Sequence, residues 1–299
     1  LNKILYETNK RTYKNIVCAS AGNHAQGVAY SGKLLDINTH IFVPDVTPLQ
    51  KYERIVHFGG NNCKIYRHGS NFDECLEKAL EFSNNYDSLF VHPFDDHNVI
   101  NGQGTIGDEI CKKINPDIIL ASIGGGGLIS GLFNYKEYSG EIYDIYGVEP
   151  CDAASMKVSL LNNSVCTLDN IDTFVDGASV KRVGELTFDI CKNNNLKTFI
   201  ACNGRICNEM ISLYQEDGII AEPAGALSVC GLDDLKKEYI KGKNVICILS
   251  GGNNDMLRYP EILDKNMRYL KLKHYFIVNF NQQKGELKIF MEKILPNGT

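Results

Sequence analysis

The stretch Asp117-Ile-Ile-Leu-Ala-Ser-Ile-Gly-Gly-Gly-Gly-Leu-Ile-Ser-Gly131 decides the fold. Ile118 to Ile123 is a short apolar run, as expected of a buried strand. Gly124 to Gly127 follow at once, and Leu128 to Tyr138 reads as a helix. Strand, glycine loop and helix together present bare backbone N–H groups at a helix N-terminus. Such a terminus carries partial positive charge and unpaired donors, so it attracts phosphate. A flexible surface loop explains the run less well, because four adjacent glycines cost backbone entropy and here follow a core strand.

Working outward, the same unit recurs. Asn15 to Ala19 reads as a strand running into Ser20-Ala-Gly-Asn-His-Ala-Gln-Gly27 and a helix to about Leu35. Strands are expected at 40–44, 63–67, 89–92, 141–148, 198–201 and 244–249. Helices are expected at 48–58, 71–83, 101–114, 153–161, 184–193, 204–215 and from 222 to about 235. Alternation of this kind predicts α/β architecture with parallel sheets. Ligands then bind beyond the carboxyl ends of the strands. Four turns fall there: 20–24, 124–127, 222–226 and 250–254. After Tyr259 the pattern changes to a basic linker, an alternating strand over Tyr275 to Phe280 and a helix over Gly285 to Ile294. One strand and one helix cannot bury a core unaided, so these residues read as the first half of a further domain.

The chain has 299 residues, which predicts two domains or one large domain with an appendage. The balance of 31 basic against 36 acidic residues gives a net charge of −5, which favours neither nucleic acid nor an anionic membrane as partner. No apolar run is long enough to span a bilayer, and no secretory leader pattern is present. Eleven cysteines at scattered spacings contain no C-x-x-C, which argues for reduced thiols in a cytoplasmic protein rather than a zinc or iron–sulfur centre. Leu1 stands where a start would place Met, and Pro296-Asn-Gly-Thr299 looks like a turn, so the chain reads as a fragment missing both ends.

A dinucleotide site would need G-x-G-x-x-G and an acidic residue closing the next strand. Glu149 suits the acidic role, but Ser130 stands where the third glycine belongs. Nicotinamide chemistry is therefore a distant alternative, and a non-catalytic ligand-binding module is another.

Ser20-Ala-Gly-Asn-His-Ala-Gln-Gly27, Gly124-Gly-Gly-Gly-Leu128, Asp176-Gly-Ala-Ser-Val-Lys-Arg182, Glu222-Pro-Ala-Gly-Ala226 and Ser250-Gly-Gly-Asn253 stand in order. In that order and spacing they resemble the threonine dehydratase (threonine ammonia-lyase) family. Those proteins are pyridoxal phosphate enzymes of fold type II, the tryptophan synthase β-like fold. The resemblance runs to about Tyr259. Lys273-His-Tyr-Phe-Ile-Val-Asn-Phe280 with Gly285-Glu-Leu287 looks like the start of the ACT-like domain of the isoleucine-pathway branch. The implied layout is a small α/β domain over 1–103, a large cofactor-binding one over 104–258, a linker over 259–272 and an incomplete ACT-like domain over 273–299.

The resemblance also implies roles. Gly124, Gly125, Gly126, Gly127 and Leu128 would hold the cofactor phosphate, Asn23 the phenolic oxygen and Ser250 the ring nitrogen. Ser20, Ala21, Gly22 and His24 would bind the substrate carboxylate. Asn23 could otherwise be a helix N-cap, and Glu222 could cap the helix after it. Glu222 and the Ala226 carbonyl resemble a site for a monovalent or divalent cation, although Ser228 replaces that site's usual carboxylate. The implied activity is deamination of L-threonine to 2-oxobutanoate and ammonia, with L-serine as alternative substrate. Isoleucine would be the allosteric effector and a homo-oligomer the assembly. The main departure is the family's cofactor-carrying lysine in Ser-x-Lys-x-Arg-Gly, which does not occur here. Spacing from Ser20 places it upstream of Leu1. Lys3, Lys10 and Lys14 lack that context and read as surface charges, so the chain as it stands is expected to be inactive.

Overall fold

The computed structural model describes residues 1–70, 72–281 and 283–294. Asn71, the expected first residue of one helix, and the turn at 296–299 lie outside them. The first part of the chain runs α1 (Asn2–Thr8), β1 (Asn15–Ala19), α2 (Asn23–Leu35), β2 (Asn38–Val43), α3 (Leu49–Gly59), β3 (Cys63–Arg67), α4 (Phe72–Asn85) and β4 (Leu89–Phe90). Next come α5 (His97–Cys111), β5 (Ile118–Ser122), α6 (Gly127–Ser139), β6 (Asp144–Pro150), α7 (Ser155–Leu161), α8 (Glu185–Asn193), β7 (Lys197–Ala201) and α9 (Asn203–Asp217). The chain then forms α10 (Pro223–Cys230), α11 (Lys237–Ile240), β8 (Val245–Cys247), α12 (Tyr259–Tyr269) and α13 (Glu286–Ile289).

The strands form two parallel sheets, in the orders β3-β2-β1-β4 and β7-β6-β5-β8. The inner strands β1, β2, β5 and β6 are buried on both faces, which is why burial does not alternate along them. The two-residue period is still visible in what each side chain meets. Ile118, Leu120, Tyr146 and Val148 pack into one cluster with Ile206 and Leu227. Ile119, Ala121 and Ile145 turn the other way, onto Ile129, Leu132 and Phe188. The first sheet divides likewise, with Ile16 and Cys18 on one side and Val17 and Ala19 on the other.

Helix α5 joins the sheets. Its expected start at Asn101 is a turn too late, because Asp96 Oδ1 accepts from the N–H groups of Asn98 and Val99 at 2.9 and 3.1 Å and caps the helix there. Asp96 is in turn paired with Lys3 of α1 at 2.9 Å. Helix α5 lies so close to α6 that side chains are excluded. A Cβ on Gly131 would sit 2.5 Å from the Ile100 carbonyl oxygen and 2.6 Å from the Gly104 nitrogen.

The tail differs from expectation. Helix α12 packs on α9, but Tyr275 to Phe280 forms no strand. Among the described residues no strand edge pairs with it, and a lone strand leaves its backbone groups unbonded. Phe276 and Ile277 are 82% and 97% exposed. The expected helix after Gly285 is a short α-helical turn that passes into a π-helical turn at Phe290–Ile294. Among the described residues no helix is long and apolar enough to cross a membrane.

Gly131→Ala should lower unfolding free energy by about 1–3 kcal/mol, the usual cost of overpacking a contact that cannot relax. Urea denaturation would measure it. A change under about 0.5 kcal/mol would show that the α5–α6 crossing is looser than this.

Candidate active site

The glycine loop leaves β5 and enters α6 with Gly126 at the N-cap, in a left-handed conformation (φ 94°) that only glycine adopts without strain. The neighbouring glycines answer to packing. A Cβ on Gly125 would lie 2.3 Å from the Phe94 ring, and one on Gly124 would lie 3.0 Å from Ala178 Cα. The carbonyl of Gly125 accepts from buried Thr187 Oγ1 at 2.7 Å. The N–H groups of residues 124–128 have no partner among the described residues. The loop is thus a fixed arc of free donors at the start of a 13-residue helix.

The segment between β4 and α5 holds this arc in place. His92 Nδ1 accepts from the N–H groups of Phe94 and Asp95 at 3.3 and 2.8 Å, turning the chain so that Phe94 covers the glycines. Asp95 reaches the second sheet's layer. Its carboxylate accepts from the N–H groups of Glu185, Leu186 and Thr187 at 3.1, 3.0 and 3.3 Å, an anionic cap on α8.

Residues 20–24 close the opposite side. The Ser20 N–H belongs to the sheet, donating to Phe42 O at 3.0 Å, and Ser20 Oγ accepts from the Gly22 N–H at 3.1 Å. Two of the four expected carboxylate donors are therefore engaged. The N–H groups of Ala21, Asn23 and His24 have no partner among the described residues and lie at or beside the start of α2. His24 Nε2 sits 3.0 Å from the Val91 carbonyl, so that nitrogen carries the proton. Burial pushes its pKa down to about 4, against the pull of that bond, and His92 nearby adds to the drop.

Neither Asn23 nor Glu222 caps a helix through its side chain. They bond to each other: Asn23 Nδ2 donates to Glu222 Oε1 at 2.6 Å, tying α2 to the start of α10. Burial raises the Glu222 pKa, and Asn23 opposes that shift. Gly251 completes the junction, its carbonyl accepting from the Glu222 N–H at 3.0 Å. Ser250 Oγ lies 3.4 Å from the Ala224 carbonyl and 3.3 Å from Ser122 Oγ at the end of β5. Segment 176–178 bridges the parts: Ala178 abuts Gly124, Gly177 abuts Ala224, and Asp176 is paired with Lys51 of α3. Residues far apart in sequence thus meet at the carboxyl ends of both sheets.

The family of pyridoxal-phosphate dependent enzymes matches residues 1–251. The chain belongs to that family. It is 45% identical over 300 residues to the biosynthetic L-threonine dehydratase of Staphylococcus aureus, covering 98% of this chain and 71% of that one. Its fold is similar to the processed form of threonine deaminase isoform 2 from Solanum lycopersicum, with a TM-score of 0.78, 34% identity and coverage of 88% and 78%. Maize serine racemase is similar at a TM-score of 0.79 and 25% identity, with coverage of 90% and 82%.

The site of this pyridoxal-phosphate-dependent enzyme fits the cofactor's phosphate through the free donors at 124–128. Asn23 keeps a second amide hydrogen, and Ser250 offers a hydroxyl. Glu149 is no ribose ligand: it is buried and accepts from the N–H groups of Met156 and Lys157 at 2.8 and 2.9 Å, capping α7. Burial lifts its pKa to about 7. Ser228, the position that departs from the family's cation site, donates to Ile248 O at 2.8 Å. Among the described residues no group of three or more His, Cys, Asp or Glu could hold a metal ion. Of the three lysines read as surface charges, Lys10, 3.8 Å over the Tyr6 ring, and Lys14 are exposed, whereas Lys3 is half-buried and paired with Glu7 and Asp96.

Phe94, Asp95, Thr187 and Ser122 were not singled out from sequence. Only Asp95, in an Asp-Asp pair ahead of a helix, carried a local signal, and that signal points to capping α5 rather than α8.

Thr187→Val should cost about 1–2 kcal/mol by stripping the buried Gly125 carbonyl of its main donor, and should weaken pyridoxal phosphate binding with it. Chemical denaturation and a cofactor titration would check both. His24 has a native pKa below its unfolded value, so its contribution is present above pH 6.5 and is lost as pH falls towards 4. Relative to His24→Gln, the protein should therefore lose up to about 3 kcal/mol between those limits. A constant difference across that range in parallel urea titrations would refute the buried neutral histidine.

Proposed function

We propose that this chain carries the cofactor- and substrate-binding machinery of an L-threonine dehydratase, which converts L-threonine to 2-oxobutanoate and ammonia in isoleucine biosynthesis. The observation that carries this is the meeting of five separated motifs around one arc of free N–H donors, in a chain 45% identical to such an enzyme. The division into a small domain over 1–103 and a large one over 104–258, with the site between them, belongs to the same reading. So does a cytoplasmic location.

Pyridoxal phosphate, when bound, supplies an electron sink beside the amino acid's Cα. The chain's own residues do the rest of what can be assigned. The N–H groups at 124–128 take the phosphate, and Phe94 shields that loop from water. The N–H groups of Ala21, Asn23 and His24 bind the substrate carboxylate. His24 positions rather than transfers a proton: its one N–H is committed to Val91 and burial opposes a second. Ser250 and Ser122 present neutral hydroxyls where a carboxylate would keep a ring nitrogen charged. That favours quick loss of a β-hydroxyl over prolonged carbanion chemistry. Removing the Cα proton needs a free base, and among the described residues the lysine beside the site, Lys51, is paired with Asp176.

A cation at Glu222 and Ala226 would have to draw Glu222 away from Asn23. The exposed apolar run 275–280 supports reading 273–294 as part of an ACT-like regulatory module with isoleucine as effector, in a homo-oligomer.

The test joins a segment containing Ser-x-Lys-x-Arg-Gly ahead of Leu1. The joined protein should release 2-oxobutanoate from L-threonine, and Asn23→Ala should cut that rate at least about tenfold, the loss of a charge-assisted bond at the cofactor. L-Serine in the same assay decides between threonine and serine preference. A joined protein that binds pyridoxal phosphate yet leaves both amino acids unchanged would reject the proposal.

A further inference from the structure

Two cysteines stand outside the site and are not explained by packing. Strands β6 and β7 run parallel in a register that ends with Pro150 opposite Ala201. The next residue on each is a cysteine, Cys151 and Cys202. Adjacent strands lie about 4.8 Å apart, and matched positions share a face of the sheet. A disulfide needs Cα atoms roughly 4.4–6.8 Å apart, so this register delivers the two thiols within bonding range. A second observation agrees. The residue after each cysteine is tied to the same partner: the Asp152 carbonyl accepts from the Asp172 N–H, and Asn203 Nδ2, at the start of α9, donates to Asp172 Oδ2. Both cysteines are exposed and unbridged, whereas Cys18, Cys75, Cys191, Cys207 and Cys230 are buried.

The geometry points to Cys151 and Cys202 as a thiol-modification site that reacts with a low-molecular-weight disulfide of the glutathione class and closes to an intramolecular disulfide. The Cys202 thiolate attacks one sulfur of the small disulfide, whose S–S bond breaks and releases one thiol. Cys151 then gives up its proton and attacks the Cys202 sulfur, forming the protein bond and releasing the second thiol. Two protein thiols are oxidised, one small disulfide is reduced to two thiols, and the two protons go to the leaving thiolates. The order follows from the surroundings. Burial and the Asp152 carboxylate push the Cys151 thiol up to about 11, so it is the poorer first nucleophile. As second attacker it needs only its immediate neighbour.

The location gives the bond a consequence. The Asp152 carbonyl accepts from the Asp172 N–H at 3.3 Å, and Asn203 Nδ2 donates to Asp172 Oδ2 at 2.8 Å. Asp172 anchors the strap that runs on to Gly177 and Ala178 beside the glycine loop. A Cys151–Cys202 disulfide would pin both anchors of that strap together.

The experiment incubates the folded chain with glutathione disulfide, blocks remaining thiols and maps peptides by mass spectrometry. A Cys151–Cys202 linked peptide is expected, with loss of two free thiols and full reversal by dithiothreitol. Cys151→Ser should stop at one glutathione on Cys202, and Cys202→Ser should leave Cys151 largely unmodified. Free thiols at both positions, separate glutathione adducts on both, or a link from either to another cysteine would each overturn the assignment.

Discussion

Bare backbone meeting bare backbone at the carboxyl ends of the second sheet is the constraint on which this structure depends. A Cβ on Gly225 would lie 2.1 Å from the Gly251 carbonyl oxygen, and one on Gly124 would press on Ala178. These approaches bring the starts of α6 and α10 beside the turn after β8. Wherever side chains are excluded, peptide groups are the remaining polar surface, and helix starts expose their donors. The anion-seeking character of the site is thus a by-product of how tightly its loops are packed. The glycines at 124–127 are held by Phe94, Thr187 and Ala178, so the donor arc is fixed before any ligand arrives.

Much of this was legible in the chain because it is local. Strand, small-residue turn and helix are encoded within about fifteen residues, and parallel sheets follow from their alternation. Four turns at 20–24, 124–127, 222–226 and 250–254 also stood out, since small residues in turns after apolar runs are unusual, whereas 176–182 follows a polar stretch and was marked only by its resemblance to the family. What was not legible is pairwise and distant. Asn23 and Glu222 each had an ordinary local use as helix caps. Only the fold reveals that they satisfy each other instead, 199 residues apart. Asp95 likewise caps a helix that begins ninety residues later. Tyr275 to Phe280 failed in the opposite way. Its alternation is a valid strand pattern, but a strand is defined by its neighbour, and no neighbour pairs with it among the described residues.

Electrostatically the site keeps its titratable groups neutral or neutralised. His24 is held uncharged by burial, its single N–H on a carbonyl. Ser250 faces Ser122 rather than an acid. Asp95, whose charge lies near the glycine loop, spends it on the N-terminus of α8. An incoming phosphate therefore meets peptide dipoles without a competing carboxylate on the same arc, which is the arrangement that makes such dipoles effective in a site of low dielectric.

The Asn23–Glu222 bond ties these threads together. It is a contact through which the first sheet's turn meets the second sheet's, and it leaves one amide hydrogen of Asn23 without a protein partner among the described residues. Burial disfavours the Glu222 carboxylate charge, so that charge depends on Asn23 for its hydrogen bond, and Asn23 is polarised in return. A ligand oxygen accepting the free hydrogen of Asn23 would compete weakly with Glu222 for the same nitrogen. The bond gives a physical reason for a plain amide at position 23, where an acid would repel Glu222.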